Sequence, residues 1–268
     1  MKRIVVGVLA SLTMSAAMAQ GVRHLASQGD ASGCPAPNAQ KGSAPGVACG
    51  HAGETRHLEA TVPDTLAQRL QPCTACHGKE GRPTQLGFFP RIAGKPAGYL
   101  YNQLDNFRAG RRAYPTMTYF VEQMSDDYLH EIADHFASLD LSYAPPQATD
   151  APPGEIARGE ALVRQGDASH GIPACARCHG AAMTGVLPAI PGLLGLPRGY
   201  LVEQFGAWRT GQRRALAPDC MARVATLLTP ADVAAVATWL SVQPVSLPPA
   251  AADTLARPLP LECGSVPR

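Results

Sequence analysis

Apolar residues recur at helical spacing along most of the chain, and no segment shows the strict alternation typical of a strand. Two segments are the clearest. Each starts at a Ser or Thr that can cap a helix, Ser125 or Thr229, and continues with apolar residues three and four positions apart. The pattern predicts two helices whose core-facing residues are Leu129, Ile132, Ala133 and Phe136 in the first, and Val233, Val236, Ala237 and Leu240 in the second.

These segments belong to a longer internal duplication. The stretch FPRIAGKPAGYLYNQLDNFRAGRR at 89–112 matches IPGLLGLPRGYLVEQFGAWRTGQR at 190–213, with glycines and prolines at the same places. Pro96 and Pro197 suit a first helical turn, and Gly110 and Gly211 suit the residue after a helix end. We also expect helices at 63–71 and 155–165. The sequence therefore predicts two similar, mostly helical units.

Other segments differ in composition. Residues 1–19 combine a basic start, the apolar run Ile4–Leu12 and a small-residue cleavage site, which predicts a signal peptide rather than an uncleaved anchor. We expect an irregular extension at 20–61, a first unit at 62–141, a proline-rich linker at 142–155, a second unit at 156–242 and a proline-rich tail at 243–268. Net charge is +2 with 16% charged residues, so there is no basic signature of nucleic-acid binding.

The motif C-x-x-C-H occurs twice, as CTACH and CARCH. It is the attachment signature of c-type haem. Two thiols about one helical turn apart can reach the two vinyl groups of a porphyrin, and the following histidine can bind the iron. A redox dithiol or one shared zinc fits less well, because neither the context nor the spacing of about a hundred residues suits them. We expect two covalent haem c groups, attached by Cys73 and Cys76 and by Cys175 and Cys178, with His77 and His179 as iron ligands.

The second axial ligand decides the chemistry of a haem, and methionine gives a high reduction potential. Met117 and Met221 each lie eight residues before a helix cap, which favours them as the ligands. Cys220 is a competing sulfur ligand beside Met221. Carbonyl groups near Pro90 and Pro191 could orient the two histidines.

These motifs, the FPRIAG-x-PAGYL run and the methionine segments resemble the diheme cytochromes of the cytochrome c4 family over about residues 62–242. The resemblance implies an all-α fold of two tandem class I cytochrome c domains with pseudo-twofold symmetry, and His/Met iron in both. It implies a periplasmic electron carrier between a quinol-oxidising complex or dehydrogenase and a terminal oxidase or reductase. The carrier is a monomer or a subunit of a complex, with peripheral membrane association allowed.

Cysteines outside the two motifs depart from the family pattern. Of three connectivities in an oxidising compartment, we favour disulfides Cys34–Cys49 and Cys220–Cys263. The alternative is that Cys220 is free and binds the second iron together with His179. The chain would then be a diheme enzyme similar to thiosulfate dehydrogenase. A cytochrome subunit of a dehydrogenase complex is a further alternative, compatible with the same haem chemistry. Our preferred interpretation is an electron carrier without catalytic residues.

Overall fold

The computed structural model describes residues 64–82, 88–245 and 251–267, and over these residues the chain is mainly helical. The helices of the first half are α1 (Leu66–Arg69), α2 (Gln71–His77), α3 (Ala97–Arg108), α4 (Pro115–Val121) and α5 (Asp126–Ala137). Those of the second half are α6 (Pro153–Arg164), α7 (Ala176–His179), α8 (Arg198–Arg209), α9 (Cys220–Leu227) and α10 (Pro230–Ser241). One short antiparallel hairpin, β1 (Gly185–Val186) and β2 (Ile190–Pro191), lies between α7 and α8. Two short 3-10 helices, Lys79–Gly81 and Ala168–His170, and a few isolated β-bridges complete the described residues. The predicted all-α class is confirmed.

The two capped helices form where the pattern predicts them. The Ser125 hydroxyl accepts a hydrogen bond from the Tyr128 amide at the start of α5. At the start of α10, the side chains of Thr229 and Asp232 each accept from the other residue's backbone amide, which satisfies two helix-end donors. All eight predicted core residues of these helices are buried.

Helices α3 and α8 start slightly later than expected. Pro96 and Pro197 lie one residue before the helix, in extended conformation, rather than inside its first turn. Gly110 and Gly211 follow the helix ends with φ of 67° and 76°, a left-handed conformation that glycine adopts without strain. The matched glycines therefore end both helices, as predicted.

Two hydrophobic cores carry the fold. The first is built around Phe107 of α3 and Leu129 and Phe136 of α5. The second is built around Leu162 of α6 and Val236 and Leu240 of α10. Each core takes its main helices from one copy of the duplication, so the repeat in sequence is also a repeat in packing.

The second core depends on a close helix crossing. Gly159 of α6 lies against α10, where a Cβ atom would stand 2.2 Å from the Ala235 carbonyl oxygen and 2.7 Å from the Trp239 Cβ. Real Cβ atoms do not approach a backbone oxygen this closely, so any larger residue must push the two helices apart. Glycine at this position allows α6 and α10 to pack with their backbones in near contact.

Replacing Gly159 by alanine is therefore expected to destabilise the holoprotein by about 1–3 kcal/mol, the usual cost of overpacking. Gly154→Ala in the same helix is the matched control, because a Cβ there meets nothing within 4 Å. Thermal and denaturant unfolding followed by far-ultraviolet circular dichroism compares the two variants. A Gly159→Ala protein as stable as the control would contradict the close crossing.

In the described part of the chain, no single helix is long and apolar enough to cross a membrane; α9 and α10, bent by 113°, reach that length and composition only together. Buried residues dominate α10. The predicted signal peptide, the extension at 20–61 and the predicted Cys34–Cys49 disulfide lie outside the described residues.

Candidate cofactor site

Both C-x-x-C-H motifs lie on short helices that end at the histidine. Helix α2 carries Cys73, Cys76 and His77, and Cys175 caps α7, which carries Cys178 and His179. One helical turn thus separates the two thiols of each motif. Gly78 and Gly180 follow with φ of 78° and 81°, so the chain turns sharply away after each histidine. This conformation requires glycine and explains why a glycine directly follows each C-x-x-C-H motif.

The two imidazole rings are oriented by backbone carbonyls. His77 Nδ1 donates to the Pro90 oxygen at 3.1 Å, and His179 Nδ1 donates to the Pro191 oxygen at 2.8 Å. This confirms the predicted role of the carbonyls near both prolines. Burial lowers the pKa of each histidine, which favours the neutral ring. The Nε2 atom of each ring therefore carries no proton and has a free lone pair, which is the form that binds a metal.

Each of the four motif cysteines lies outside any disulfide, so its sulfur is available for attachment. Burial raises the pKa of Cys73 and Cys178, and it raises the pKa of Cys175 to about 12. Before attachment, burial thus favours the protonated form of these three thiols over the thiolate of a redox pair. Such an environment suits a structural attachment point better than a thioredoxin-like site.

The two methionines occupy helices that the sequence pattern does not predict. Met117 lies in the first turn of α4, and Met221 lies in the first turn of α9. A continuous cavity of about 430 Å³ reaches both motifs and both methionines, and its walls include Cys73, His77, Met117, Cys175, His179 and Met221. The structure thus brings every sequence-predicted site residue to one cavity.

Two arginines pair across the junction of the two halves. Arg112 donates to Gln204 Oε1 at 2.7 Å, and Arg213 donates to Gln103 Oε1 at 3.0 Å. The backbone repeats the exchange, because Ala113 N donates to the Gln212 oxygen and Arg214 N donates to the Arg111 oxygen, both at 2.7 Å. Residues at matching repeat positions thus make reciprocal contacts, as expected for a pseudo-twofold axis.

These arginines also test whether the cavity suits a haem. Arg213 is 6% exposed, and the hydrogen-bond acceptors of both side chains in the described residues are neutral Gln and Tyr oxygens. Buried cations are normally paired with anions. The indole Nε1 of Trp208, in the same cavity wall, is buried without an acceptor among the described residues. A carboxylate-bearing group in the cavity would satisfy all three, and the two propionates of a haem are such groups.

The C-terminal tail closes over the second half. Cys220 forms a disulfide with Cys263, which confirms that predicted pair. The Gly264 amide donates to the Pro218 oxygen, and Asn102 of α3 donates to the Ser265 oxygen, both at 2.9 Å. Because the disulfide uses the sulfur of Cys220, this cysteine offers no thiolate beside Met221. The arrangement gives no support to a His/Cys-ligated second iron.

Sequence reasoning did not identify the paired arginines or Lys95, which also lines the cavity. A signal for the arginines existed, since Arg112 and Arg213 end the two matched stretches of the duplication. Lys95 had none, because Leu196 takes its place in the second copy.

Comparison with known proteins gives a consistent picture. No protein-family model matches the chain. It is 38% identical to a thiosulfate dehydrogenase electron acceptor of Thiomonas intermedia, over 65% of this chain and 79% of that protein. It is 34% identical to cytochrome c4 of Pseudomonas aeruginosa, over 63% of this chain and 82% of that protein.

The fold agrees with these relatives. The crystal structure of reduced cytochrome c4 from Pseudomonas stutzeri superimposes with a TM-score of 0.58 at 30% identity, covering 66% of this chain and 95% of that one. Together with the duplicated motifs and their shared cavity, the similarity over most of each relative identifies the family. This chain belongs to the diheme cytochrome c4 family, whose members are periplasmic electron carriers with two covalently bound haem c groups.

Proposed function

We propose that this carrier is exported by its signal peptide, residues 1–19, and works as two fused one-haem units at 62–141 and 156–242. The linker at 142–155 joins them, and the extension at 20–61 and the tail at 243–268 flank them. Cys73 and Cys76 hold the first haem and Cys175 and Cys178 the second. His77 with Met117 would bind the first iron, and His179 with Met221 would bind the second.

One observation carries this assignment: both attachment motifs and both methionines line a single cavity at the junction of the two halves. The two haems would therefore lie close together, with their propionates meeting Arg112, Arg213 and Trp208. The disulfide at Cys220 leaves methionine as the sulfur ligand offered to the second iron.

When bound, each haem supplies a one-electron couple, and the protein's contribution is to hold it. The Pro90 and Pro191 carbonyls fix the two imidazole rings, so little reorganisation accompanies a change in charge. Apolar side chains that line the cavity, such as Leu100 and Phe107, would keep water from a bound haem, which favours its less charged, reduced state. The arginine pair offers two positive charges at the junction. These features describe a carrier, with no substrate to transform.

The partners are assigned more broadly. We propose that a membrane quinol-oxidising complex or a dehydrogenase reduces the carrier and that a terminal oxidase or reductase oxidises it. The relatives named as thiosulfate dehydrogenase electron acceptors favour a thiosulfate-oxidising enzyme as a second candidate donor. In either case the chain accepts electrons rather than oxidising thiosulfate itself.

Low-temperature EPR and near-infrared magnetic circular dichroism of the oxidised protein test the ligand assignment. We expect two His/Met signals and no His/thiolate signal. A thiolate signal would place Cys220 on iron and reverse the choice between carrier and enzyme.

Stopped-flow reduction then compares the two donors under matched conditions. A quinol-oxidising membrane preparation and a purified thiosulfate dehydrogenase with thiosulfate are each mixed with the oxidised protein. The physiological donor reduces both haems many times faster than the other. Native co-purification decides between a free carrier and a subunit, since a lone monomer would exclude the stable complex.

A further inference from the structure

A buried cation stands beside each peptide that holds a proximal histidine, and the two cations differ in kind. In the first half, Arg91 directly follows Pro90, whose carbonyl binds His77. In the second half the matching residue is Gly192, which has no charge to offer. Lys95 of the first half fills this gap, because its Nζ donates to the Gly192 oxygen at 2.7 Å.

The ammonium group of Lys95 is thus one peptide away from the carbonyl that holds His179. Lys95 is 3% exposed, and its hydrogen bond in the described residues is to a neutral carbonyl. In the part of the chain that the structure describes, two charged or titratable groups interact with it: Arg91 from its own segment and His179 from α7. The matching position in the second copy is Leu196, which is uncharged. The second half therefore has no counterpart of Lys95 at this position to act on the first half.

The two cations respond differently to pH. Burial, and next the charge of Arg91, lower the pKa of Lys95 to about 7. Burial also lowers the pKa of Arg91, but a guanidinium keeps its proton in proteins at neutral pH. The charge near the first proximal histidine is therefore constant, whereas the charge near the second can be lost close to neutral pH.

We propose that Lys95 tunes the second haem, so that the reduction potential of this haem, and not that of the first, depends on pH near neutrality. The inference rests on the proposed ligation by His179. Oxidised iron carries one more positive charge than reduced iron, so a nearby ammonium disfavours the oxidised form and raises the potential. Lys95 therefore acts on the second haem through its charge and does not bind the iron.

The proton balance gives the sign. Reduction adds one electron to the second haem and raises the pKa of Lys95, so its amine takes up a proton from solvent; oxidation reverses both steps. Lys95 thus has one pKa when the second haem is oxidised and a higher pKa when it is reduced. Between these two values the reduction potential of the second haem falls as pH rises, and outside this interval it does not change with pH. If the acid dissociation constant of Lys95 differs tenfold between the oxidised and reduced protein, the reduction potential of the second haem changes by about 59 mV in total, the value for a one-electron couple.

Spectroelectrochemical titration of the holoprotein between about pH 5 and pH 9 tests the proposal. NMR assigns each couple through the methyl resonance of its axial methionine. In the unsubstituted protein we expect the reduction potential of the second haem to fall as pH rises and that of the first haem to stay constant. In Lys95→Met the reduction potential of the second haem should be constant over this pH range. It should equal the low value that the unsubstituted protein reaches at high pH. Lys79→Met, which removes an exposed lysine beside the first motif, is the control and should keep the original pH profile.

Lys95→Gln separates charge from hydrogen bonding, since glutamine can still donate to the Gly192 carbonyl but carries no charge. It should behave like Lys95→Met, and it serves as the second variant if the methionine protein folds poorly. The proposal is overturned if Lys95→Gln keeps the pH-dependent second couple, or if the unsubstituted protein shows none. His/Met spectra with level potentials would remove only this inference, whereas loss of the His/Met signals would remove the proposed ligation itself.

Discussion

A chain in which Cys175 and Cys178 are both replaced by alanine is expected to carry one covalent haem instead of two. The thiols of this motif are one helical turn apart on α7, beside a histidine that is 6% exposed and oriented by the Pro191 carbonyl. Without them the second haem has no covalent bond to the protein. The first motif lies on a different helix and packs against a separate core, so its haem should remain.

Intact-protein mass spectrometry and the pyridine haemochrome absorbance per chain measure the haem content. The matched control replaces Cys220 and Cys263 by serine, which also removes two cysteines from the second half but leaves the motif complete. The control should retain two haems. Loss of both haems from the Cys175/Cys178 variant, with the control intact, would contradict independent attachment at the two motifs.

Replacing Met117 by leucine is expected to open one axial position of the first iron and to lower the potential of that haem. Leucine keeps the apolar volume at the start of α4 but offers no sulfur. The choice of axial ligand moves haem potentials over a range of roughly 0.8 V, so we expect a fall on the order of 0.1 V or more. The covalent haem content should stay at two.

Met124→Leu provides the comparison for this variant. Met124 also lines the cavity and packs against the first core, but it lies after α4. Optical redox titration and the near-infrared methionine-to-iron band should change for Met117→Leu alone. If the two variants behave alike, Met117 is not the ligand.

Local signals in the sequence predicted much of the architecture. Ser125, Thr229 and the glycines after α3 and α8 act through neighbouring backbone atoms, so their effect can be inferred from sequence spacing. The same holds for the core faces of α5 and α10, whose apolar spacing matches one side of a helix. The Cys220–Cys263 pair was also predicted, in that case from the oxidising compartment that an exported protein enters.

Other features arise only from tertiary contacts. Helices α4 and α9 have apolar and polar residues mixed, and their short turns are stabilised by the cores on which they pack. The hairpin of β1 and β2 is two residues per strand, too short to leave a pattern of alternation. The hydrogen bond of Lys95 to Gly192 joins residues 97 positions apart in the chain. Nothing in the local sequence of either residue indicates that the other is near.

The reciprocal contacts of Arg112 and Arg213 are those of an isologous dimer interface, in which the same surface meets itself. In a homodimer of identical subunits, every substitution enters both subunits at once, and the two metal centres must stay equivalent. Fusion of the copies into one polypeptide removes that constraint while the symmetric interface is kept. Lysine can then stand at position 95 and leucine at position 196, so duplication followed by divergence gives one molecule two inequivalent redox centres.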